Sequence, residues 1–300
     1  MIRVENICKS YYKKTAIDDV SLIVSPGEIQ GLVGDNGAGK TTLIKCIAGI
    51  FKPEEGTVLY DDVCVYDNPS VKEKIGYVSD NNEYIGRYTI KKLIKLYQTY
   101  FPKFNLDKFE KLNSELKLPL NSKIEALSKG QKMRLGFMME ISKMPEYLLL
   151  DEPTSGLDPV AKKIFLEKLV DEVEKENIGV LISTHNLSDL EKLCDTITFL
   201  DKGKKVNASG LDDLKCGLTK LQAVFENGVD EKLLLRDSVL SFSKVGRIYT
   251  LIIRGYDENK EAWLKSIGAG YIEEIDMSLE ELYIAINAGR EKENEEVVEI

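Results

Sequence analysis

Residues 34–42 read Gly34-Asp35-Asn36-Gly37-Ala38-Gly39-Lys40-Thr41-Thr42, and this stretch decides how the rest of the chain is interpreted. It fits the pattern of Gly, four residues and Gly-Lys-Ser/Thr. An apolar run at residues 29–33 directly precedes it, and a helix-like run at residues 43–50 directly follows it. A strand, a glycine-rich turn and a helix in that order are the context that a phosphate-binding loop needs.

The residue types in this loop explain how it would hold phosphate. Glycines at 34, 37 and 39 let successive backbone N–H groups turn inward without Cβ clashes, and the following helix presents the positive end of its dipole. Lys40 can reach the β- and γ-phosphates, and the Thr41 hydroxyl can hold Mg²⁺. The sequence therefore predicts that residues 34–42 bind a nucleotide, with Mg²⁺ at the Thr41 hydroxyl.

The composition is that of a water-soluble globular protein. The 300 residues, 43% hydrophobic and 30% charged, suffice for one large domain or two smaller ones. No run approaches the 18 or so apolar residues of a membrane span, and the first residues lack the apolar core of a signal peptide. The five cysteines show neither paired metal spacing nor a CxxC motif. We expect a cytosolic chain whose membrane role would need a partner.

The charges are unevenly distributed along the chain. Residues 87–143 carry thirteen Lys/Arg and five Asp/Glu, whereas residues 257–300 carry four and thirteen. Blocks of like charge usually only keep a helix face in water. A second interpretation is that the basic region faces anionic lipid headgroups or nucleic acid.

The order of the predicted elements indicates an α/β fold that is interrupted by one helical insertion. Strand-like runs lie on both sides of the loop, at residues 2–4, 16–24, 57–60 and 75–79. Helical spacing of apolar residues begins at Thr89 and continues to about residue 141. Strands and helices then alternate again, at residues 147–150, 160–173, 178–183, 187–193, 196–200 and 204–206.

The composition shifts beyond about Gly217, which indicates a second domain. Strands are predicted at residues 221–225, 239–242 and 248–253, and helices at residues 260–267 and 278–286. We expect a first domain at residues 1–216 with its helical subdomain at about 87–143, and an α+β accessory domain at residues 217–289. The acidic tail, residues 290–300, is expected to be disordered.

Two neighbouring carboxylates suit the hydrolysis of a nucleotide held by this loop. The apolar run 147–150 ends in Asp151-Glu152, so a buried strand delivers both side chains to its C-terminal end, where α/β sheets bind ligands. Asp151 suits Mg²⁺, usually through water. Glu152 suits polarising or deprotonating the attacking water. The pair predicts nucleotide hydrolysis in addition to nucleotide binding.

A third motif, Leu127-Ser128-Lys129-Gly130-Gln131, precedes a predicted helix. Ser128 can cap that helix and Gly130 allows close backbone approach. With this motif the sequence resembles the ATP-binding cassette (ABC) family over roughly residues 1–216. The resemblance also rests on Ser155-Gly156-Leu157-Asp158 and on His185, in family-like order and spacing.

The resemblance implies a fold and an assembly. The fold would be a P-loop NTPase core with an antiparallel β subdomain, an inserted α-helical subdomain and, here, a small α+β C-terminal appendage. In such cassettes two subunits pair head to tail around two ATP molecules, each held between one P-loop and the signature motif of the partner. Ser128, Gly130 and Gln131 would contact the ATP of the other subunit, and Asp158 would couple the two sites.

The resemblance also assigns roles to an aromatic residue and to the only histidine. Tyr11 matches the aromatic that stacks on adenine, with Tyr12 as the second choice. His185 falls after the strand at residues 178–183, where the family keeps its γ-phosphate switch. The predicted catalytic set is therefore Glu152, His185 and Lys40.

Two residues depart from the family pattern. Asp80 stands where many cassettes have the Gln that meets Mg²⁺ and relays to the transmembrane partner. Asp can still face Mg²⁺, because carboxylate oxygen is a hard ligand, although its reach is shorter. Lys129 replaces the second glycine of the signature motif. The predicted metal ligands are Thr41, Asp80 and Asp151.

Three classes of cassette protein compete at this point. The first is the ATPase subunit of an exporter that pairs with a separately encoded permease. The second acts on ribosomes or DNA, and the third is a soluble factor that couples ATP to protein assembly. Ribosome-associated cassettes generally carry two P-loops and DNA-repair cassettes carry a long coiled coil. This chain shows one P-loop and no sustained heptads.

The remaining motifs resemble bacterial exporter ATPases of the drug and antimicrobial-peptide branch. They include residues 75–80, the Lys129 variant of the signature, the predicted turn near Gly203 and residues 276–282. We expect a homodimer, or a pair with a second cassette subunit, at the cytoplasmic face of the membrane. A permease would be its partner, no nucleic acid is expected, and the cargo would be a peptide or a lipophilic drug.

Overall fold

The computed structural model describes residues 1–12, 14–80, 86–210, 217–236 and 238–285. The chain divides into two compact units, Met1–Ser209 and Gly210–Ile300. The predicted acidic tail at residues 290–300 lies outside the described residues. Within the part of the chain that is described, no helix is long and apolar enough to cross a bilayer.

A six-stranded sheet forms the centre of the first unit. Its strands follow the order β10-β9-β3-β8-β7-β6. Their bounds are β3 Ile29–Val33, β6 Ile75–Val78, β7 Tyr147–Asp151, β8 Gly179–Thr184, β9 Thr196–Asp201 and β10 Lys204–Gly210. The pairs from β9 through β3, β8 and β7 to β6 are parallel. Every residue of β3, β7 and β8 is buried, as expected for parallel strands covered on both faces.

An antiparallel sheet lies next to this core. Its order is β2-β1-β4-β5, with bounds β1 Ile2–Tyr11, β2 Lys14–Val24, β4 Glu55–Tyr60 and β5 Val63–Cys64. Helix α1, Lys40–Ile47, follows the predicted phosphate loop, and α2 spans Pro69–Lys72. One hydrophobic cluster joins residues of this sheet, of α1 and of β3, β7 and β8. The phosphate loop is therefore anchored by both sheets.

Three helices form the predicted insertion between β6 and β7. Helix α3 is Ile90–Tyr100, α4 is Leu106–Leu116 and α5 is Lys129–Ser142, with a 3₁₀ turn at Ile124–Ala126. Thr89, Asn105 and Ser128 each accept a backbone N–H bond as N-caps of these helices. Pro102 lies just past the end of α3, as expected of a residue that cannot continue a helix.

Two further helices complete the first unit. Helix α6, Pro159–Glu176, begins with Asp158 as its N-cap and Pro159 in its first turn, and it ends where Asn177 takes a left-handed conformation. Helix α7 spans only Leu187–Leu190, so the predicted helix at residues 187–193 is shorter than expected.

The second unit contains a four-stranded antiparallel sheet of order β12-β13-β11-β14. Its strands are β11 Leu218–Phe225, β12 Val239–Val245, β13 Ile248–Arg254 and β14 Ala269–Ile275. A 3₁₀ turn at Glu231–Leu234, the helix Glu258–Ser266 and helical residues 279–285 accompany it. The predicted α/β core with its α+β appendage is confirmed, although strand β14 was not among the predicted strands.

Candidate active site

The loop between β3 and α1 has a shape that only glycine permits at two positions. A Cβ on Gly34 would lie 2.3 Å from the Leu200 carbonyl oxygen, so the loop passes directly under β9. Gly39 has φ +108°, and a Cβ there would lie 2.5 Å from the Ala16 carbonyl oxygen. A Cβ on Gly37, in contrast, would meet nothing within 4 Å, which marks the open side of the loop.

Lys40 places its ammonium inside the loop. Its Nζ donates to the carbonyl oxygens of Gly34 at 2.6 Å and Asp35 at 3.3 Å, and it lies 3.4 Å from Glu152 Oε1. Lys40 is the first residue of α1, and its side chain is buried. A buried cation held mainly by neutral carbonyls can accept an anion from the open side, because a phosphate oxygen offers the stronger interaction.

Asp151 is the most buried carboxylate of the site. Its Oδ1 accepts hydrogen bonds from Ser183 Oγ at 2.8 Å and from Thr41 Oγ1 at 3.1 Å. Burial raises the pKa of Asp151 above its ordinary value, and the negative charges of Glu152 and Asp80 raise it further, while the two hydroxyl bonds lower it. A positive charge near Asp151 would stabilise the ionised form of this carboxylate.

The donor set around Asp151 suits Mg²⁺. A hydroxyl and a carboxylate in contact, Thr41 and Asp151, are hard oxygen ligands of the kind that Mg²⁺ takes alongside water and phosphate. Within the described residues, no group of three or more His, Cys, Asp and Glu could form a metal cage. Thr41 and Asp151 are therefore two oxygen ligands that Mg²⁺ could take beside a nucleotide.

Glu152 and His185 form a pair at the ends of β7 and β8. His185 Nδ1 lies 2.8 Å from Glu152 Oε2, and the Glu152 backbone N–H donates to Ser183 Oγ at 3.1 Å. Glu152 has φ +51°, a left-handed conformation that non-glycine residues adopt at some cost. The three predicted catalytic residues are thus joined through Glu152, whose two oxygens face Lys40 and His185 respectively.

The start of α5 has the local structure that the signature motif predicts. Ser128 Oγ accepts the Gln131 N–H at 3.2 Å and Gln131 Oε1 accepts the Ser128 N–H at 2.9 Å, which is a capping box. A Cβ on Gly130 would lie 2.9 Å from the Gly156 carbonyl oxygen, so the helix start packs closely on the loop after β7. Asp158 caps α6 through the backbone N–H groups of Val160 and Ala161.

The predicted site residues fall into two groups, which are the catalytic residues at the phosphate loop and the residues of the signature motif together with Asp158. Among the residues described, no hydrogen bond or ion pair connects Ser128, Gly130, Gln131 or Asp158 with the loop at residues 34–42. Within the described residues, the signature motif contacts the loop after β7 and Asp80 instead.

Tyr11 lies at the end of β1, with 41% of its surface exposed. Its ring meets the Phe51 ring edge to face at 6.1 Å, and Lys45 of α1 lies over Phe51 at 5.4 Å. Tyr12 is fully exposed in the following turn. Of these two tyrosines, Tyr11 is thus the one with a packed ring partner. Phe51 was not predicted, although its aromatic character and its place just after α1 were visible in the sequence.

Asp80 follows β6 and has a protein partner. Lys129 Nζ lies 2.6 Å from Asp80 Oδ1 and donates to Ser155 Oγ at 3.0 Å. The two departures from the family pattern therefore form an ion pair with each other. Asp80 is near enough to raise the pKa of Asp151, which places it at the edge of the candidate metal site.

Comparison with known proteins identifies the family. A family model described as ABC transporter matches residues 17–155. The ABC transporter ATP-binding protein YtrB of Bacillus subtilis (strain 168) is 33% identical over 293 residues, covering 97% of this chain and 100% of that protein. The chain belongs to the ABC transporter family. It is an ATP-binding subunit of that family, whose members hydrolyse ATP to drive transport.

Two further comparisons agree with this assignment. The Nod factor export ATP-binding protein I of Rhizobium etli is 31% identical over 216 residues, covering 70% of this chain and 68% of that protein. A solved ATP-binding subunit of an ABC transporter is 28% identical, with a TM-score of 0.67 over 72% of this chain and 92% of that one.

Proposed function

We propose that this ABC protein is the ATPase subunit of an exporter, in which two copies of the chain close around two ATP molecules and drive a separately encoded permease. A second cassette subunit could replace one copy. The proposed cargo is a peptide or a lipophilic drug. The name of the Nod factor export relative supports the direction of transport.

The single observation that carries the dimer is the separation of the two groups of site residues. Lys40, Glu152 and His185 form one connected cluster, whereas the capped start of α5, at Ser128 and Gly130, is a separate anion-binding helix end. An ATP molecule held by the loop would have one exposed side, on which the α5 start of a second copy can bind. Asp158, at the start of α6, would then lie at the interface.

The phosphate loop and its neighbours would hold both ATP and Mg²⁺. Residues 34–42 supply backbone donors, Lys40 supplies the ammonium, and Thr41 and Asp151 supply oxygen ligands to the metal. Asp80 would join these ligands only after releasing Lys129. When bound, Mg²⁺ neutralises the charge that develops on the phosphate oxygens. Tyr11 would stack on adenine, with Phe51 fixing the orientation of its ring.

Glu152 is the proposed base that acts on the attacking water. One carboxylate oxygen is held by His185 Nδ1, which fixes the orientation of the group, and the other faces Lys40. When the Lys40 ammonium turns towards phosphate, this second oxygen becomes free to accept a proton from water. In its imidazolium form His185 would donate Nδ1–H to Glu152 and Nε2–H to the γ-phosphate, which is the switch role that the resemblance implies.

The helical insertion is the proposed contact with the permease. Its excess of basic side chains suits the cytoplasmic membrane face, which carries anionic headgroups. The loop that contains Asp80 would form the other part of this contact. The protein would therefore be peripheral to the membrane and would bind no nucleic acid.

Two substitutions test the assignment of the site. We expect Glu152→Gln to retain ATP binding, to hydrolyse ATP at least 100-fold more slowly and to accumulate as a closed dimer in gel filtration with ATP. Lys40→Ala is expected to lose ATP binding. Turnover by Glu152→Gln at the wild-type rate would refute the role of Glu152, and an ATP-loaded monomer would refute the proposed dimer.

A pull-down from detergent-solubilised native cells tests the partner. We expect tagged protein to bring down a multi-span permease. Recovery of ribosomal proteins, DNA or a soluble scaffold would contradict the transport proposal and would leave the ATPase chemistry in place.

A further inference from the structure

Helix α5 runs along β6 in the opposite direction and is attached to it near both ends. Near its C-terminal end, Lys143 Nζ donates to the Ile75 carbonyl oxygen at 3.1 Å and Glu140 Oε2 accepts the Tyr77 N–H at 3.3 Å. At its N-terminal end, Lys129 pairs with Asp80, just past the end of β6. Lys129 and Glu140 are about 16 Å apart along the helix, at 1.5 Å per residue.

The two attachments differ in their surroundings. Glu140 and Lys143 are buried, so water and salt have little access to their bonds. The side chains of Lys129 and Asp80 are 47% and 36% exposed, although the Asp80 oxygen in the pair is covered, so salt screens this pair more than it screens Glu140 and Lys143. We therefore expect the second attachment to be the weaker of the two.

Lys129 connects the start of its own helix with two loops that surround the active site. Its Nζ bonds Asp80, which follows β6, and Ser155, which lies in the loop after β7. Its alkyl chain covers Gly156, where an added Cβ would lie 3.2 Å from Lys129 Cδ. The residue itself begins α5, between Ser128 and Gly130. Opening the Lys129 contacts would free the helix start from both loops at once.

We propose that Lys129 is a positioning residue of the ATPase, which fastens the Asp80 loop and the Ser155 loop to the start of α5. In this proposal the positive charge of Lys129, which replaces a glycine in the signature motif, is balanced by the negative charge of Asp80, which replaces a glutamine after β6. The pair fixes where Ser128 and Gly130 stand relative to the ends of β6 and β7. The proposal applies to export and to import alike.

Amide hydrogen exchange on the nucleotide-free protein at low concentration tests the fastening independently of dimerisation. The variants are Lys129→Met, Asp80→Asn and the double variant, with Lys129→Arg as the conservative replacement. Met keeps most of the alkyl chain over Gly156 and removes only the charge. Lys132→Met is the matched control, because it removes the same charge one turn further along α5.

We expect exchange in peptides covering residues 75–80 and 128–135 to accelerate by roughly 2- to 5-fold in both single variants, as suits a half-exposed ion pair. The double variant should exchange no faster than Lys129→Met alone, since that single variant already removes the contact with Asp80. Raising the salt concentration to 0.5 M should accelerate the wild type to the same level. Lys129→Arg and Lys132→Met should resemble the wild type.

Steady-state ATP hydrolysis supplies the functional measurement. We expect kcat to fall in Lys129→Met with the KM for ATP nearly unchanged, and Lys129→Arg to restore most of the rate. Additive losses in the double variant, or equal effects of Lys132→Met, would overturn the proposal. Unchanged exchange in the single variants would also overturn it, whatever the oligomeric state.

Discussion

Glu140 is a buried carboxylate whose removal should be more destabilising than that of other acidic residues in the helical insertion. Its Oε2 accepts from Lys143 Nζ at 2.8 Å, and its Oε1 accepts from Tyr97 OH at 3.0 Å. The Tyr77 N–H at 3.3 Å is a further donor. Glu140→Ala would leave two neutral donors and one ammonium without their acceptor.

The expected magnitude follows from these partners. Breaking a buried ion pair by removing one member typically costs about 3–5 kcal/mol, because the remaining charge is left buried without compensation. Lys143 keeps its bond to the Ile75 carbonyl oxygen and its position 4.5 Å from the centre of the Phe101 ring, which moderates the loss. We expect Glu140→Ala to lower the free energy of unfolding of the first unit by about 4 kcal/mol. For a unit of 209 residues this corresponds to roughly 10 °C in Tm.

Differential scanning calorimetry measures this shift, and the fluorescence of Trp263 identifies the transition of the second unit, because that is the only tryptophan. Glu125→Ala is the control, since Glu125 is an exposed residue of the same insertion and its loss should cost less than about 0.5 kcal/mol. The double variant Glu140→Leu, Lys143→Met should lose less than Glu140→Ala alone. A shift of Glu140→Ala no larger than that of Glu125→Ala would refute the reasoning.

Two further predictions concern the nucleotide site. Because the pKa of Asp151 is raised in the folded state, the folded protein binds more protons than the unfolded chain between about pH 4 and the folded pKa, and this carboxyl lowers stability as pH rises through that window. Asp151→Asn should therefore be more stable than the wild type at pH 7 in chemical denaturation, should lose this advantage near pH 4, and should hydrolyse little ATP. Equal stability at pH 7 would contradict this prediction. Tyr11→Ala should weaken ATP binding by roughly 2- to 10-fold in calorimetric titration, as expected for the loss of one aromatic stack. Tyr12→Ala, at the exposed neighbouring position, is the control. A larger loss of affinity in Tyr12→Ala than in Tyr11→Ala would assign the stack to Tyr12.

The sequence predicted the first unit well where local chemistry and packing agree. Apolar runs that end in glycine, Asp-Glu or Thr-His correspond to β3, β7 and β8, because parallel strands covered on both faces are mostly apolar. Strand β1 extends seven residues beyond the predicted end at Val4, through polar residues that one exposed face of an antiparallel sheet tolerates. Strand β14 was missed because its two adjacent glutamates are atypical of strands, and pairing with β11 outweighs that preference.

Prediction of the site was limited by distance along the chain. Lys40, Glu152 and His185 were named from separate motifs, and the parallel order of β3, β8 and β7 brings them together. Ser183 was not predicted, although the register that places it opposite Asp151 follows once β7 and β8 are paired. The ion pair between Lys129 and Asp80 was not visible either, because each residue seemed an isolated departure until the antiparallel arrangement of α5 and β6 joined them.

The contacts of Lys40 connect nucleotide binding with the release of one Glu152 oxygen from its ion pair. In the structure the ammonium lies between two loop carbonyls and one Glu152 oxygen, so that oxygen already has a partner within the protein. In the proposed mechanism, a phosphate that draws the ammonium away would leave His185 as the partner of Glu152 and would free the other carboxylate oxygen. The same event would secure the nucleotide and open a place for water beside Glu152. This order of events would limit activation of water to the nucleotide-bound state.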